Sequence, residues 1–357
     1  MDPASTLPAA QASLGGLAAA LGGPVLPIVA AGVIAVAVLA YVLLDGFDLG
    51  VGILFAAEPE REQRDVMVNS IAPMWDGNET WLVLGGGGLF ALFPLAYATI
   101  MPALYPIIIG MLLALIFRGV AFEFRFRATS RIGRFGWDAS FFAGSTMAAF
   151  FQGLALGGLL QGIKVTGRSY SGGWFDWLTP FSLLCGAAVV IGYALLGASW
   201  LVFRTEGALQ DRCRRHSRVL GVATLALIGA VSLWTPFLNP LFRARWFGWP
   251  GIALTSPVPV LVALLAWGFW VGLERRHHAT PFACALGVFV LCFAGLGISV
   301  FPMMVPPSIT IWQAAAPPAS QMFLLVGAAV LVPTILIYTG YSYWVFRGKV
   351  GTGTHYH

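Results

Sequence analysis

The chain has 357 residues, of which 58% are hydrophobic and only 10% charged, with a mean hydropathy of +0.82 and a formal net charge of +5. Its apolar runs are long enough to cross a hydrocarbon core of about 30 Å, which takes roughly 20 helical residues, so composition excludes a soluble globular protein and points to an all-α integral membrane protein. The positive balance is not a nucleic-acid footprint: the basic residues sit in short loops between apolar spans, where they act as topology signals, and no nucleic acid is expected among the partners.

Met1 to Gly23 is rich in Ala, Gly and Pro and contains no Lys or Arg. It lacks the basic n-region of a cleavable signal, so the first apolar run is expected to stay in the protein. Apolar runs between charged or Pro/Gly breaks then predict nine transmembrane helices, at about 25–57, 80–98, 102–124, 137–162, 177–203, 216–236, 257–274, 281–301 and 321–346. An odd number places the termini on opposite sides. Of the 20 basic residues, only Lys164, Arg168, Arg243 and Arg245 fall on the side away from the C-terminus. The positive-inside rule therefore makes the N-terminus periplasmic and the C-terminus cytoplasmic.

No loop is long enough for a soluble domain, the largest being about 58–79 inside and 237–256 outside, and function must reside in the bundle or against a partner. There is no exact internal repeat. Close helix approach through small residues is expected at Gly46-x-x-x-Gly50 and in the run Gly85 to Gly88. Trp75, Trp81, Trp137, Trp174, Trp177, Trp246, Trp249 and Trp344 fall at predicted interfaces, as an aromatic belt would. Cys185, Cys284 and Cys292 lie in apolar spans and Cys213 in a basic loop. With no C-x-x-C spacing they read as packing residues, free of metal or disulfide. Met303 and Met304, beside Pro302, read as a packed, kinked helix end.

The informative residues are the few charges close to the apolar spans. Asp45 and Asp48, three apart, share a face of the first helix with Tyr41 and Gly52. Twenty residues after Val25, at about 1.5 Å each, Asp45 lies about 30 Å from the outer end, near the cytoplasmic boundary. Asp76 and Glu79 open the second helix on that side; Arg118 and Glu123 close the third. Six ionisable groups from three helices thus converge on one membrane face. Intramembrane carboxylates commonly mark a proton, ion or substrate path, here a proton-uptake path with Arg118 as counter-charge. The same residues also fit a structural reading, with Asp76 or Asn78 as helix cap, Glu79 favouring the helix dipole, and snorkelling interfacial charges. Spacing leaves both open.

His216, His277, His278, His355 and His357 all fall at predicted cytoplasmic helix ends or in the tail. Membrane b-type haem commonly takes an axial His, so no cofactor-binding or metal residue is assigned to this chain.

At these residues the chain resembles subunit II of the cytochrome bd-type quinol oxidases, including the cyanide-insensitive branch. The matching strings are Leu44-Asp45-Gly46-Phe47-Asp48-Leu49-Gly50-Val51-Gly52, Asn69 through Leu82 around Trp75-Asp76-Gly77-Asn78-Glu79, and Phe117-Arg118-Gly119-Val120-Ala121-Phe122-Glu123-Phe124-Arg125. Phe301-Pro302 through Pro306 and the final span from Val332-Pro333 to Tyr343-Trp344 are similar too. The resemblance covers essentially the whole chain.

The resemblance implies a multi-pass subunit of a terminal oxidase in the bacterial inner membrane, part of a respiratory electron-transport chain that oxidises quinol and reduces dioxygen to water. Two b-type haems and one haem d are then expected in the partner, subunit I. The implied fold is two four-helix bundles plus one peripheral helix, paired with subunit I in a pseudo-symmetric heterodimer. It divides the chain into 1–24 (periplasmic segment), 25–162 (first bundle, carrying the charged motifs), 163–301 (second bundle) and 302–357 (periplasmic loop, ninth helix and cytoplasmic tail). The implied proton pathway uses Asp76 of the W-D-G-N motif, Asp45 and Asp48 of the D-G-F-D motif, and Arg118. Small single-helix accessory subunits, quinone and lipid are further partners the resemblance allows.

Two other classes stand beside this reading. A proton-coupled transporter could use the same carboxylates, although their crowding at one face disfavours a midplane site. A purely scaffolding subunit would use them only for caps and ion pairs.

Overall fold

The computed structural model describes residues 24–352. The N-terminal segment 1–23, with its expected lack of a cleavable signal, and His355 and His357 of the tail lie outside the described residues.

The long apolar runs are helices: α1 (Val25–Phe55), α3 (Trp75–Leu92), α4 (Pro94–Phe124), α5 (Arg131–Gln161), α6 (Pro180–Arg204), α7 (Gly207–Trp234), α10 (Pro257–Glu274), α11 (Thr280–Val300) and α13 (Pro318–Val345). Short helices α2 (Arg61–Asn69), α8 (Pro240–Phe247), α9 (Gly251–Thr255) and α12 (Ile311–Ala314) fill the connections, together with two antiparallel hairpins. The first hairpin pairs β1 (Val165–Thr166) with β2 (Ser169–Tyr170), and the second pairs β3 (Met303–Val305) with β4 (Ile309–Thr310). Among the described residues eight helices are long and apolar enough to cross a membrane. The exception among the long ones is α3, whose polar first turn and glycine run lower its hydropathy.

Local chemistry sets the helix ends, and several differ from expectation. The predicted helix 80–98 ends at Leu92, because Pro94 disfavours helical backbone at Phe93 and then opens α4 as its first residue, where its missing N–H costs nothing. The predicted start at 102 moves back accordingly, and Pro102 and Pro106 lie inside α4. Ser130 caps α5 by accepting from the Gly133 N–H, and Thr179 with Ser182 forms a capping box at α6. Helix α7 begins nine residues before the expected 216, so Cys213 is helical rather than in a loop and His216 lies within the helix rather than at its end; the run of Leu, Gln and Arg there favours helix. Met303 and Met304 sit on strand β3, past the end of α11, and are not a helix end.

Helix α1 runs between α3, α5 and α6. At the crossing with α6, a Cβ on Gly50 would collide with the Tyr193 carbonyl, and one on Gly197 with the Gly50 backbone, so glycine at both positions is what lets the two backbones meet there. Gly144 of α5 brings its backbone against α4 at the Ala114 carbonyl, 2.7 Å from where a Cβ would stand, and at the Arg118 nitrogen, 2.9 Å away. The expected Gly85–Gly88 contact is only half present: Gly85 and Gly88 face Val38 and Ile34 of α1, while Gly86 and Gly87 meet nothing within 4 Å. Trp81 is another departure, buried in the bundle rather than set in the aromatic belt. Helix α13 packs on the outside, with only Gln321 and Met322 buried along its length.

Candidate functional site

The site is built where α1, α3 and α4 meet. Asp45, Asp48 and Arg118 are all completely buried, and Asn78 is 1% exposed. The Arg118 guanidinium stands 3.4 Å from an Asp45 oxygen and donates to Glu79 at 3.2 Å. Its carbon lies 5.1 Å from the centre of the Trp75 ring, a cation–π contact, and Trp75 is itself stacked on Phe122. Asp48 accepts from the Asn78 amide at 2.7 Å, and the Tyr343 hydroxyl of α13 donates to the other end of that amide at 3.0 Å. On the opposite flank, Tyr193 donates to Gln152 at 2.8 Å, and Gln152 donates to the Tyr41 oxygen at 2.7 Å.

One positive group therefore faces three carboxylates, two of them fully buried, in a setting where Coulomb interactions are stronger than in water. Both Asp45 oxygens, one Asp48 oxygen and two Arg118 nitrogens have no regular hydrogen-bond partner among the described residues. Buried polar groups are normally satisfied, so this concentration of unused capacity sets the place apart.

Of the six ionisable groups expected to converge, the structure brings together Asp45, Asp48, Glu79 and Arg118. Asp76 is exposed in the first turn of α3, three residues before Glu79, and Glu123 is exposed on α4. Neither side chain enters the buried cluster. Burial nonetheless grades inward, from exposed Asp76 through Glu79, with 28% of its side chain exposed, to the sealed Asp45 and Asp48. Gln152, Tyr193 and Tyr343 were not singled out from the sequence. A glutamine inside the apolar run Phe150-Phe151-Gln152-Gly153 was the available signal; the two tyrosines gave none.

A second ion cluster lies at the adjoining helix ends. Arg125 bonds Asp65 of α2 and Asp138 of α5, both at 2.6 Å, and Arg64 reaches Asp138 at 3.4 Å. Close by, Arg212 of α7 grips the nearly buried Glu58 with two hydrogen bonds of 2.9 Å.

Among the described residues no group of three or more His, Cys, Asp or Glu side chains could hold a metal ion. His216 stands in the first third of α7 amid Arg214, Arg215 and Arg218, and His277 and His278 occupy the turn between α10 and α11. These surroundings do not fit an axial haem ligand. All four cysteines are free, and Cys213 is buried.

The family model for cytochrome bd terminal oxidase subunit II matches residues 26–346. The cytochrome bd-I ubiquinol oxidase subunit 2 of Escherichia coli strain K12 is 31% identical over 360 residues, which cover 89% of this chain and 93% of that protein. The cytochrome bd ubiquinol oxidase subunit 2 of Bacillus subtilis strain 168 is 30% identical over 327 residues, 89% of this chain and 94% of its own. In fold, a chain of the bd oxidase of Geobacillus thermodenitrificans superposes with a TM-score of 0.70, at 17% identity, over 89% of this chain and 98% of its own. Family model and relatives alike span nearly the whole multi-pass chain, which therefore belongs to the cytochrome bd terminal oxidase subunit II family.

Proposed function

We propose that this chain is the non-haem subunit of a quinol:oxygen oxidoreductase in a bacterial inner membrane, where it stabilises a haem-bearing subunit I and takes up protons from the cytoplasm through Asp76, Glu79, Arg118, Asp45 and Asp48. The haems, two b-type and one d-type in this reading, would supply electron transfer and oxygen chemistry from the partner. This chain's residues bind and move protons.

The observation that carries the reading is the charge count of the buried cluster. A single guanidinium cannot neutralise three carboxylates, and uncompensated charge at such a place is costly. The cluster relieves that cost by holding protons, and the graded exposure from Asp76 inward gives those protons a route. Proton uptake on this side, with quinol oxidised on the other, would build a membrane potential without a pump.

The positive-inside distribution supports a cytoplasmic C-terminus, and with it a cluster on the side where uptake would begin. In this reading α3 completes a set of nine spans, with 25–162 and 163–301 as the two bundles and the exposed α13 as peripheral helix. Its bare apolar surface, with quinone and lipid around it, is open to small accessory subunits.

The test is oxygen consumption driven by quinol in the assembled complex carrying D45N or D48N. Loss of a positioned proton-transfer group costs on the order of 100-fold or more, so turnover per haem is expected to fall at least tenfold. Unchanged turnover in both variants, at full haem content, would leave the carboxylates a scaffolding role and sink the reading.

A further inference from the structure

Two tyrosines reach the two carboxylates of α1 by the same device, an intervening side-chain amide. A phenol has one hydrogen to give, and a primary amide donates from nitrogen and accepts at oxygen, so the direction of each bond is fixed by its neighbours. Tyr193 spends its hydrogen on the Gln152 oxygen, and the Gln152 nitrogen gives one to the Tyr41 oxygen. Tyr41 keeps its own hydrogen. One helical turn on, within side-chain reach of that hydroxyl, stands Asp45, neither of whose oxygens has a regular donor among the described residues. The second relay runs from Tyr343 to the Asn78 oxygen and from the Asn78 nitrogen to Asp48. Both relays point their donors at a carboxylate, and an amide in the middle of each does not pass protons on as water or a carboxyl would.

We propose that Gln152 is a positioning residue for the proton-exchanging Asp45: it orients the Tyr41 hydroxyl so that it donates to that carboxylate, and it closes the cluster toward α6. This rests on the reading given under Proposed function. With the relays closing the α6 and α13 flanks, exchange runs on the remaining side, past Glu79 and Asp76. The charged and titratable groups around Asp45 are Arg118 from α4, Glu79 with Asp76 behind it from α3, Tyr41 and Asp48 on its own helix, and Tyr193 from α6. Tyr343 of α13 stands beyond Asp48, with Arg204 of α6 near it.

The experiment is the pH profile of quinol-driven oxygen consumption by the assembled complex, with haem content measured in parallel, for Q152M, Y41F, the Q152M/Y41F double variant and Y193F. Without its aimed donor the carboxylate keeps its proton to higher pH, so the rising limb is expected to move up by about half a unit to one unit in Q152M and in Y41F. Because Gln152 acts through Tyr41, the double variant moves no further than either single one. Y193F, which deletes only the far hydroxyl, moves the limb a smaller distance in the same direction.

A wild-type profile in Q152M at full haem content overturns the proposal, as do Q152M and Y41F shifts that add. Should Q152M fail to assemble, Y193F decides: a shift supports the relay, and an unmoved limb overturns it. D45N separates the two layers of argument. If D45N retains full turnover, the proton-path reading itself fails, whereas a D45N defect beside an unmoved Q152M profile sinks only the role of Gln152.

Discussion

Arg118 on α4 and Arg125, the residue that caps its C-terminal end, stand seven residues apart, about 10 Å along the helix axis, yet they anchor clusters of opposite character. The outer one sets Arg125 and Arg64 against Asp65 and Asp138, two positive charges to two negative, close to the end of the apolar span. The inner one sets Arg118 alone against Asp45, Asp48 and Glu79, with most of the group sealed from solvent and several polar atoms unused. A balanced, fully bonded cluster is what tying α2, α4 and α5 together requires. An unbalanced, incompletely bonded one serves that purpose badly, and its composition makes sense if protons come and go.

The largest expected effect comes from removing the lone inner cation. R118L leaves Asp45 buried without a partner, a change that typically costs about 3–5 kcal/mol. The assembled complex, measured as haem absorbance per milligram of purified membrane protein, is expected to be largely lost. Adding D45N should recover part of it, because the neutral amide no longer needs a counter-charge. R125L is expected to cost less, since Asp65 and Asp138 both retain access to water. Equal losses from R118L and R125L would erase the distinction between the clusters.

Next comes the seal above the inner cluster. Gly50 lies two residues beyond Asp48 and meets the α6 backbone directly. G50A forces α1 and α6 apart at an overpacking cost of about 1–3 kcal/mol, read as a lower thermal midpoint, and it should speed hydrogen exchange at amides around Asp48. The same substitution at Gly86, which faces open space, is expected to change neither.

Smaller still is D138N in the balanced cluster. It weakens the grip of Arg125 and Arg64 on α5 by about 1 kcal/mol, within the range for hydrogen bonds to charged groups at partly exposed sites. The thermal midpoint should drop slightly while turnover per haem stays unchanged. A fall in turnover to match D45N would join the outer cluster to the proton path and dissolve the comparison.

How much of this was legible in the sequence follows the range of the interactions. Asp45, Asp48 and Arg118 stood out because charge in an apolar run is conspicuous, and helical rise with loop charge predicts the convergence that the structure has. Asp76 carried the same signature, but its place in the first turn of α3 turns it outward, and only the packed helices reveal that Asn78, two residues on, faces Asp48 instead. Helix ends went wrong where a proline acts on its predecessor, as at Phe93-Pro94, or where an arginine-rich run continues as helix, as in α7. The partners Gln152, Tyr193 and Tyr343 lie more than 100 residues along the chain from Asp45 and Asp48; no local periodicity encodes such meetings, which arise from the glycine-guided crossings of α1 with α6 and of α4 with α5.

The weakest effect belongs to the far end of the bundle, where the β1–β2 hairpin is flanked by the exposed pair Lys164, just before β1, and Asp176, beyond β2, 3.0 Å apart. The hydrogen bond from Lys164 holds the Asp176 carboxyl below its ordinary value of about 3.9. A carboxylate lowered by folding contributes stability above that ordinary value, and the contribution fades as pH falls through the lowered one. Being solvent-exposed, the pair is screened by salt and is worth under about 1 kcal/mol. The Ser171 amide, which donates to the Lys164 carbonyl across this turn, reports on it locally. Its hydrogen exchange, corrected for the intrinsic pH dependence, should lose a little protection below about pH 4, and D176N should show that same reduced protection at neutral pH with no further loss on acidification. Salt should narrow the difference between wild type and D176N, whereas the sealed inner cluster, out of reach of mobile ions, should respond to salt far less. If added salt moved the turnover of the complex as strongly as it moves Ser171 exchange, the inner carboxylates would be as open to solvent as this outer pair, and the grading from exposed Asp76 to buried Asp45 would no longer describe a guarded path.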